Sequence, residues 1–446
     1  MTRHGLLLIL AVTTTLPAVV FGFSTTSSTS AVSQPPPLTS PLSSPLPLTL
    51  EELAELLGGT GRAKACWECF RMGVDPIWYF GGNEQSSSED DTEDVGLTSC
   101  NVLEGWTRRQ VQDQLALTAA RQSPTELSHK TVQRLKRAFG GSIESKVATM
   151  ASITTSQDGT TKLLLELKSD GLQVETVIIP WDDRQKSTIC VSSQVGCRQA
   201  CTFCSTGRMG IFRSLTASEI LAQLYWANKV CRIKSIYPID NVVYMGMGEP
   251  ADAPDVVPTA NIMVDRNLFA LAPRRVTIST VAPTPQSFAK LGVAPVVLAW
   301  SVHSSRDDIR KELVPTTKYS MVELRQGLIT ALQGRSKRLR NIMLEVTLLD
   351  QINDSEADAE HLAEFCRPIF EEVNKLKLVV NLIPWNDISA SFGPASAYRK
   401  PRMDRVLAYQ KVLVERGILS YIRTTRGDEE DAACGMLSTK NSKTRR

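Results

Sequence analysis

The stretch that decides the fold is GCRQACTFCSTG, residues 196–207. It places three thiols, Cys197, Cys201 and Cys204, at the spacing Cys-x3-Cys-x2-Cys, and no fourth cysteine follows at a comparable interval. Since an iron–sulfur cubane takes four thiolates, a cubane held by these three would keep one iron open to a small molecule. The alternatives are a zinc site closed by a remote thiol such as Cys190, or three unligated core cysteines. The spacing therefore favours a cluster that performs chemistry.

The chain from about residue 150 alternates short β-branched runs with amphipathic segments of helix length, including one that begins near Thr216 behind the thiol loop. This alternation is typical of parallel α/β architecture. The predicted strands are residues 188–192, 241–245, 275–279, 296–302, 342–348, 378–383 and 419–423. In α/β barrels the chemistry takes place at the carboxyl ends of the strands.

Polar residues and glycines follow several of these strands. In NVVYMGMGEP, residues 241–250, Gly248 would let a ligand approach the backbone, and Glu249 could accept hydrogen bonds from an ammonium group. Ala251 stands where a Gly-x-Gly-x-x-Gly motif needs its last glycine, so the dinucleotide-binding interpretation fails. The other strand-end positions are Ser279, Ser301, Val302, His303 and Asn386. Each polar one alone could be a cap or a satisfied buried group, but together they predict one rim.

Two further thiols are well placed. Cys434 lies in TRGDEEDAACGML, residues 425–437, where its alanine and glycine neighbours suit close approach of a cofactor and a base. Cys190 stands seven residues before the first thiol of the loop, on a predicted strand, where a core role is the usual alternative.

The strings between residues 174 and 437 together resemble the RlmN/Cfr family of radical S-adenosylmethionine (radical SAM) RNA methyltransferases, and they fit the RlmN branch better than Cfr. In family order they read VETVIIP, CVSSQVGC, CTFCSTG, MGMGEP, KELVP, VNLIPWN and TRGD followed by DAACG. The resemblance implies a partial (β/α)6-type barrel and a 4Fe–4S cluster on Cys197, Cys201 and Cys204. It also implies SAM ligands at Gly248, Glu249, Ser279, Ser301, Val302, His303 and Asn386.

The resemblance further implies methylation of adenosine carbon 2 in large-subunit ribosomal RNA, with transfer RNA open as a second substrate. One SAM would methylate Cys434, and a radical from a second SAM would take hydrogen from that methyl group before it adds to the base. Cys190 would help resolve the crosslink and end in a disulfide with Cys434, and Glu175 matches the family's proton acceptor. Carbon-8 methylation and a non-catalytic metal or iron–sulfur binding module remain the alternatives. A reductant such as ferredoxin or flavodoxin and a monomeric state are also expected.

The amino terminus resembles a targeting segment. The first fifty residues contain no acid, and Arg3 and His4 precede the apolar run 5–10, which is followed by a stretch rich in Ser, Thr and Pro. This pattern resembles the bipartite presequence of proteins imported into complex plastids, so we expect residues 1–47 to be a disordered presequence; another organelle or the cytoplasm is the alternative. The apolar run is too short for a bilayer span, and no stable membrane association is expected.

The rest of the chain divides into three predicted parts. Residues 48–145 read as a small helical domain with an acidic loop at 83–96, residues 150–437 as the α/β core, and residues 438–446 as a basic tail. Fifty Lys and Arg against 47 Asp and Glu give a net charge of +3, so any nucleic-acid surface must be local. Ten cysteines in a chain of 446 residues favour reduced thiols over a disulfide framework.

Overall fold

The computed structural model describes residues 44–77, 127–388, 397–427 and 430–439. Most of the predicted presequence, the whole acidic loop and all but two residues of the predicted basic tail lie outside these ranges. Leu46, near the start of the described chain, is fully buried. None of the described helices combines the length and the apolar composition needed to span a bilayer.

Short helices form the amino-terminal part. Helix α1 (Leu50–Leu57) begins where Thr49 and Glu52 form a capping box, and it ends at Gly58 in the left-handed conformation. The other helices here are α2 (Thr60–Arg71), α3 (His129–Phe139) and α4 (Ile143–Lys146). Helices α1 and α3 occupy the TLEELAELL and SHKTVQRLKRAF segments in which the pattern predicted them.

One ten-stranded sheet forms the centre of the fold. Its strands, in spatial order, are β1 (Ala148–Thr155), β2 (Thr161–Leu167), β3 (Gln173–Trp181), β4 (Lys186–Cys190), β7 (Ile239–Tyr244), β8 (Val276–Thr280), β9 (Val297–Ser301), β10 (Asn341–Leu348), β11 (Lys377–Pro384) and β12 (Ser420–Ile422). A separate antiparallel ribbon joins β5 (Gln194–Cys197) to β6 (Gly210–Ser214). From β4 to β12 all neighbours pair in parallel, and these seven strands are the seven that the sequence predicted.

Helices connect the parallel strands, as a parallel sheet requires. They are α5 (Ser205–Met209), α6 (Ala217–Ile233), α7 (Val256–Val264), α8 (Gln286–Gly292), α9 (Asp307–Leu313), α10 (Met321–Gly334), α11 (Glu356–Glu372) and α12 (Met403–Glu415). Helix α6 begins directly after Thr216, whose side chain and that of Glu219 form a capping box. The predicted α/β class is therefore confirmed.

The antiparallel strands β1 to β3 were missing from the predicted set. They extend the sheet by pairing β1 with β2, β2 with β3 and β3 with β4. Leucine stands at every second position from Leu163 to Leu167 in TKLLLEL, but the pattern cannot tell a strand that extends a parallel sheet from one in a separate hairpin.

The segment after β12 bridges back to the other side of the sheet. Arg426 donates from Nη1 to the carbonyl of Pro180 at the end of β3 (3.1 Å), and the Gly427 amide donates to Asp158 Oδ2 (3.1 Å). We call this segment, described at residues 424–427 and 430–438, the closing strap. Because it links β12 at one edge with β3 near the other, the sheet curves around a central cavity.

Candidate active site

A cavity that is open to solvent lies at the carboxyl ends of the parallel strands, and its empty volume together with the adjoining solvent space is about 1300 Å³. Among the predicted site residues, those that line it are Cys190, Cys201, Cys204, Ser301, His303, Asn386 and Cys434. The predicted residues outside its lining are Glu175, Cys197, Gly248, Glu249, Ser279 and Val302. Two thiols of the loop therefore line the same cavity as Cys190 and Cys434, the two isolated thiols.

The loop that carries the three thiols is held from outside by the last residue of α9 and the segment that follows it. The Thr202 amide donates to the carbonyl of Leu313 (3.0 Å), and Thr316 Oγ1 donates to Gln199 Oε1 (2.7 Å). Inside the loop, a Cβ at Gly207 would lie 2.9 Å from the backbone nitrogen and oxygen of Cys201. Only glycine allows this close approach, so the turn that sets the thiol positions depends on Gly207.

The three thiols of the loop are buried or half-buried and close enough to influence one another. Burial raises the pKa of Cys201 to about 12 and also raises the pKa values of Cys197 and Cys204, and the thiols reinforce the shift in Cys197 and Cys201. Within the described residues, no group of three His, Cys, Asp or Glu side chains is already arranged to hold a metal ion. Thiolates are nevertheless the ligands of iron–sulfur clusters, so the donor chemistry of the loop fits such a group.

Glu249 lies beside this loop, five residues after the end of β7. Its carboxylate accepts hydrogen bonds from the Val281 amide (2.9 Å), the Ala251 amide (2.9 Å) and the Thr280 hydroxyl. Burial raises its pKa from 4.5 to about 7 in spite of these donors. The carboxylate therefore ties the turn after β7 to the end of β8.

Glu345, a residue that sequence reasoning missed, organises the predicted rim serines. Its buried carboxylate on β10 accepts hydrogen bonds from Ser279 Oγ (3.0 Å) and Ser301 Oγ (3.5 Å) and lines the cavity. The sequence does contain a signal for this role, which is an acidic residue inside the largely apolar strand NIMLEVTL. A buried carboxylate in a strand needs hydrogen-bonding partners.

His303 follows β9 with a φ of 56°. Its Nδ1 accepts a hydrogen bond from the Thr347 amide (3.2 Å), and its ring lies 4.5 Å from that of Phe203 in an edge contact. Burial lowers the pKa of the imidazole well below its ordinary value, so the ring is neutral at pH 7. The preceding Val302 is buried and donates its amide to the Glu345 carbonyl (2.9 Å).

Hydrogen bonds to backbone atoms hold the Cys434 turn of the closing strap. Asn386 donates from Nδ2 to the Cys434 carbonyl (3.0 Å), and the Ser205 amide donates to the Gly435 carbonyl (2.7 Å). Ser205 directly follows Cys204, so the strap is bonded to the end of the thiol loop. Asn386, predicted as a cofactor ligand, contacts the strap in this structure.

Arg423 supplies a positive charge between the two isolated thiols. Cys434 is exposed to the cavity but surrounded by protein, and this partial burial raises its pKa while the Arg423 guanidinium opposes the rise. Burial raises the pKa of Cys190 to about 12, again opposed by Arg423. Arg423 and Glu345 line the same cavity as both thiols, so the four groups form one electrostatic cluster. Sequence reasoning placed Arg423 only at a strand end.

Comparison with known proteins agrees with this geometry. Residues 191–359 match the family model for the Radical SAM superfamily, a span that includes the thiol loop and strands β7 to β10. The chain contains a radical SAM domain. Such a domain implies a 4Fe–4S cluster and SAM, and the three thiols of the loop are the residues that would hold the cluster.

Solved structures give a second comparison for the radical SAM domain and its surroundings. A radical SAM methyltransferase from Sphaerobacter thermophilus is 29% identical to this chain, with a TM-score of 0.65 over 88% of this chain and 98% of that one. A domain of a pyruvate-formate lyase-activating enzyme from Bacteroides vulgatus is 12% identical, with a TM-score of 0.32 over 41% of this chain and 99% of that one, and we draw nothing from it. The first match supports the fold across most of the chain.

Glu175, the predicted proton acceptor, lies on β3 of the extension beside the radical SAM domain. Its carboxylate pairs with Lys162 (3.3 Å) and accepts a hydrogen bond from the Ser438 amide (2.7 Å). Burial raises its pKa. In this structure Glu175 anchors the far end of the closing strap, and its catalytic role stays a prediction.

The raised pKa of Glu249 predicts that the free energy of unfolding of the protein depends on pH. Because the pKa of this carboxyl is about 7 in the folded protein against an ordinary 4.5, folding favours the protonated form, and that stabilisation is lost as the pH rises from 4.5 through 7. Glu249→Gln stays neutral, so we expect the free energy of unfolding of the wild type to fall relative to the variant by up to about 3 kcal/mol between pH 5 and pH 8. Anaerobic urea denaturation of cluster-free protein measures this difference, and a difference independent of pH would contradict the assignment.

The turn after β7 also has no room for a side chain at position 248. The φ of Gly248 is 107°, and a Cβ there would lie 2.6 Å from Cβ of Gln194, whose Oε1 accepts the Glu249 amide. We expect Gly248→Ala to destabilise the protein by about 1–3 kcal/mol more than Gly171→Ala, the matched control. Gly171 has a φ of 72° but open space around its Cβ position. Equal losses in thermal denaturation would show that the contact with Gln194 relaxes without cost.

Proposed function

We propose that this chain is an RNA methyltransferase of the RlmN type, which transfers a methyl group to carbon 2 of an adenosine in large-subunit ribosomal RNA through S-methylated Cys434. The observation that supports this most is one cavity lined by Cys434, Cys190 and the loop thiols Cys201 and Cys204. The likeness to a radical SAM methyltransferase supports methyl transfer as the reaction.

The chemistry explains why a thiol is needed between SAM and the base. Carbon 2 of adenine lies between two ring nitrogens and is electron-poor, so it does not attack the electrophilic methyl group of SAM. When bound, the cluster and SAM supply both a methyl group and a 5′-deoxyadenosyl radical. The protein must therefore hold a nucleophile that first accepts the methyl carbon and then presents it to the base.

Cys434 is suited to this role. The residue is open to the cavity, and the Asn386 and Ser205 hydrogen bonds fix the backbone carbonyls of Cys434 and Gly435. Arg423 favours the thiolate, which is the form that accepts a methyl group. Because both hydrogen bonds go to backbone atoms, they position the Cys434 turn without occupying the thiol.

Cys190 is suited to the resolving step. Addition of the methylene radical leaves one unpaired electron on the adduct. As a thiolate, also favoured by Arg423, Cys190 would accept the proton from carbon 2. The unpaired electron would return to the oxidised cluster, which gave one electron to cleave SAM, and a closed-shell S–CH2–adenine crosslink would remain. Cys190 would give its proton to solvent and attack the sulfur of Cys434, so that the S–S bond forms, the S–CH2 bond breaks and the methylene takes a proton to become methyl. A thiol reductant would restore the two cysteines.

Local positive charge supports an RNA substrate. Arg423 and Arg426 both line the cavity, and the basic strings GRSKRLRN and AYRKPR, residues 334–341 and 397–402, supply cations that would contact phosphates. Import into a complex plastid, reduction by ferredoxin or flavodoxin and a monomeric state complete the proposal, and transfer RNA is the second RNA to test.

Mass spectrometry of nucleosides tests this proposal. The protein is reconstituted with iron and sulfide without oxygen and incubated with reductant, methyl-deuterated SAM and unmethylated ribosomal RNA. We expect 2-methyladenosine with two transferred deuterium atoms, because one is lost to the radical and one hydrogen comes from the solvent or substrate. Three retained deuterium atoms, or methylation at carbon 8, would contradict the route or the position. Protein that binds a cluster but neither cleaves SAM nor modifies either RNA would instead be a binding module.

A further inference from the structure

Trp181, the last residue of β3, lines the cavity next to the closing strap and is half-buried. Its indole Nε1 donates a hydrogen bond to Thr188 Oγ1 (3.0 Å), which fixes the orientation of the ring. The roles proposed for the thiol loop, Cys190 and Cys434 do not involve this side chain. The indole is therefore an aromatic surface of fixed orientation in the cavity that would bind RNA under the proposed function.

Arg426 of the strap stacks against this ring. Its guanidinium carbon lies 4.8 Å from the centroid of the Trp181 ring, and Nη1 is bonded to the Pro180 carbonyl (3.1 Å). The guanidinium carbon of Arg184 lies at 5.8 Å, but Arg184 is largely exposed and pairs with Asp183 (3.3 Å). Arg426 therefore contributes the ordered cation, while Arg184 can yield its place to a ligand.

Bases that leave an RNA helix are typically held by stacking on aromatic side chains and guanidinium planes. An adenosine can enter a cavity such as this one only after it is unstacked, and its neighbours in the strand then lose a stacking partner too. A fixed indole beside the reactive thiols offers such a neighbour a replacement surface. The adjacent guanidinium offers a partner for its phosphate.

We propose that Trp181 and Arg426 form a binding subsite for the nucleotide next to the target adenosine, with its base stacked on the indole and its phosphate bonded to Arg426. This subsite rests on the proposed function in that the ligand is RNA. It concerns binding only and takes no part in methyl transfer.

The test measures RNA binding and not turnover. Fluorescence anisotropy gives the dissociation constant of cluster-loaded full-length protein for a labelled RNA hairpin that contains the target adenosine. We expect Trp181→Ala to weaken binding about tenfold, since stacking of one base contributes about 1–3 kcal/mol. Trp181→Phe, which keeps an aromatic face, is expected to lose less. Phe370→Ala, an exposed aromatic of α11 outside the cavity lining, is the matched control and should bind like the wild type.

An RNA with an abasic residue beside the target locates the contact. If the base stacks on Trp181, its removal weakens binding to the wild type but causes little further loss in Trp181→Ala, since both changes remove one interaction. Additive losses at both flanking positions, or a Trp181→Ala variant that binds as tightly as the wild type, would overturn the subsite and leave the proposed function intact. A wild type that binds no RNA would overturn both. Thermal denaturation of Trp181→Ala and Trp181→Phe checks that both variants are folded.

Discussion

Cys434→Ala is expected to abolish methyl transfer to RNA completely while the protein still assembles its cluster. The substitution removes the sulfur that would carry the methyl group, so no S-methyl intermediate forms. It keeps the Asn386 and Ser205 hydrogen bonds, because both go to backbone carbonyls of the strap. The cluster thiols and their loop are untouched. Mass spectrometry of the nucleosides, with iron content and visible absorbance measured on the same sample, checks both halves of this expectation.

The control for this variant is Cys366→Ala. Cys366 is a fully buried thiol on α11 and lies outside the cavity lining, so its removal costs some stability but should leave methylation in place. Wild-type yields of methylated adenosine from Cys434→Ala would refute transfer through this thiol. Loss of the cluster in the same variant would instead mean that Cys434 supports cluster binding.

Cys190→Ala is expected to stop the reaction after the carbon–carbon bond has formed. Without the second sulfur, neither removal of the ring proton nor attack on the Cys434 sulfur can proceed, so the RNA should stay covalently bound to Cys434. A denaturing gel with labelled RNA then shows a protein–RNA adduct that survives heat and detergent, and little released product.

The double variant Cys190→Ala/Cys434→Ala is the decisive control, since an adduct through Cys434 must disappear in it. An adduct that persists in the double variant would mean attachment at another residue. Normal release of methylated RNA by Cys190→Ala would refute the resolving role. Cys190 is almost fully buried, so the alanine variant also needs a thermal denaturation check for folding.

Much of the fold was predictable from local chemistry. The seven parallel strands are short runs rich in apolar and β-branched residues, and helix α6 begins at a Thr-x-x-Glu capping box that is readable in the sequence. The thiol loop was predictable because its three thiols lie within eight residues, from Cys197 to Cys204. Features that depend on neighbours in sequence were therefore accessible without a structure.

Features that depend on distant residues were not accessible. Glu345 and Arg423 are 78 residues apart and meet only because β10 and β12 flank β11 in the sheet. Likewise, the Asn386 contact with the Cys434 carbonyl spans 48 residues. No periodicity encodes such pairs, since each is set by strand order. The predicted roles of Asn386, Glu249 and Glu175 as ligands or acceptors stay predictions, and their protein contacts are now known.

The closing strap gives the proposed reaction a thiol that can turn towards several partners. Cys434 would have to meet three partners in turn: the methyl donor, the adenine ring and the Cys190 sulfur. The Asn386 and Ser205 hydrogen bonds hold the backbone carbonyls of Cys434 and Gly435, so the turn itself stays in place. Rotation about the Cα–Cβ bond of Cys434 can still redirect its sulfur within the cavity while the turn, the sheet and the thiol loop stay still. In the proposed reaction, the same architecture would combine a fixed cluster site with a side chain that passes one carbon from the donor to the base.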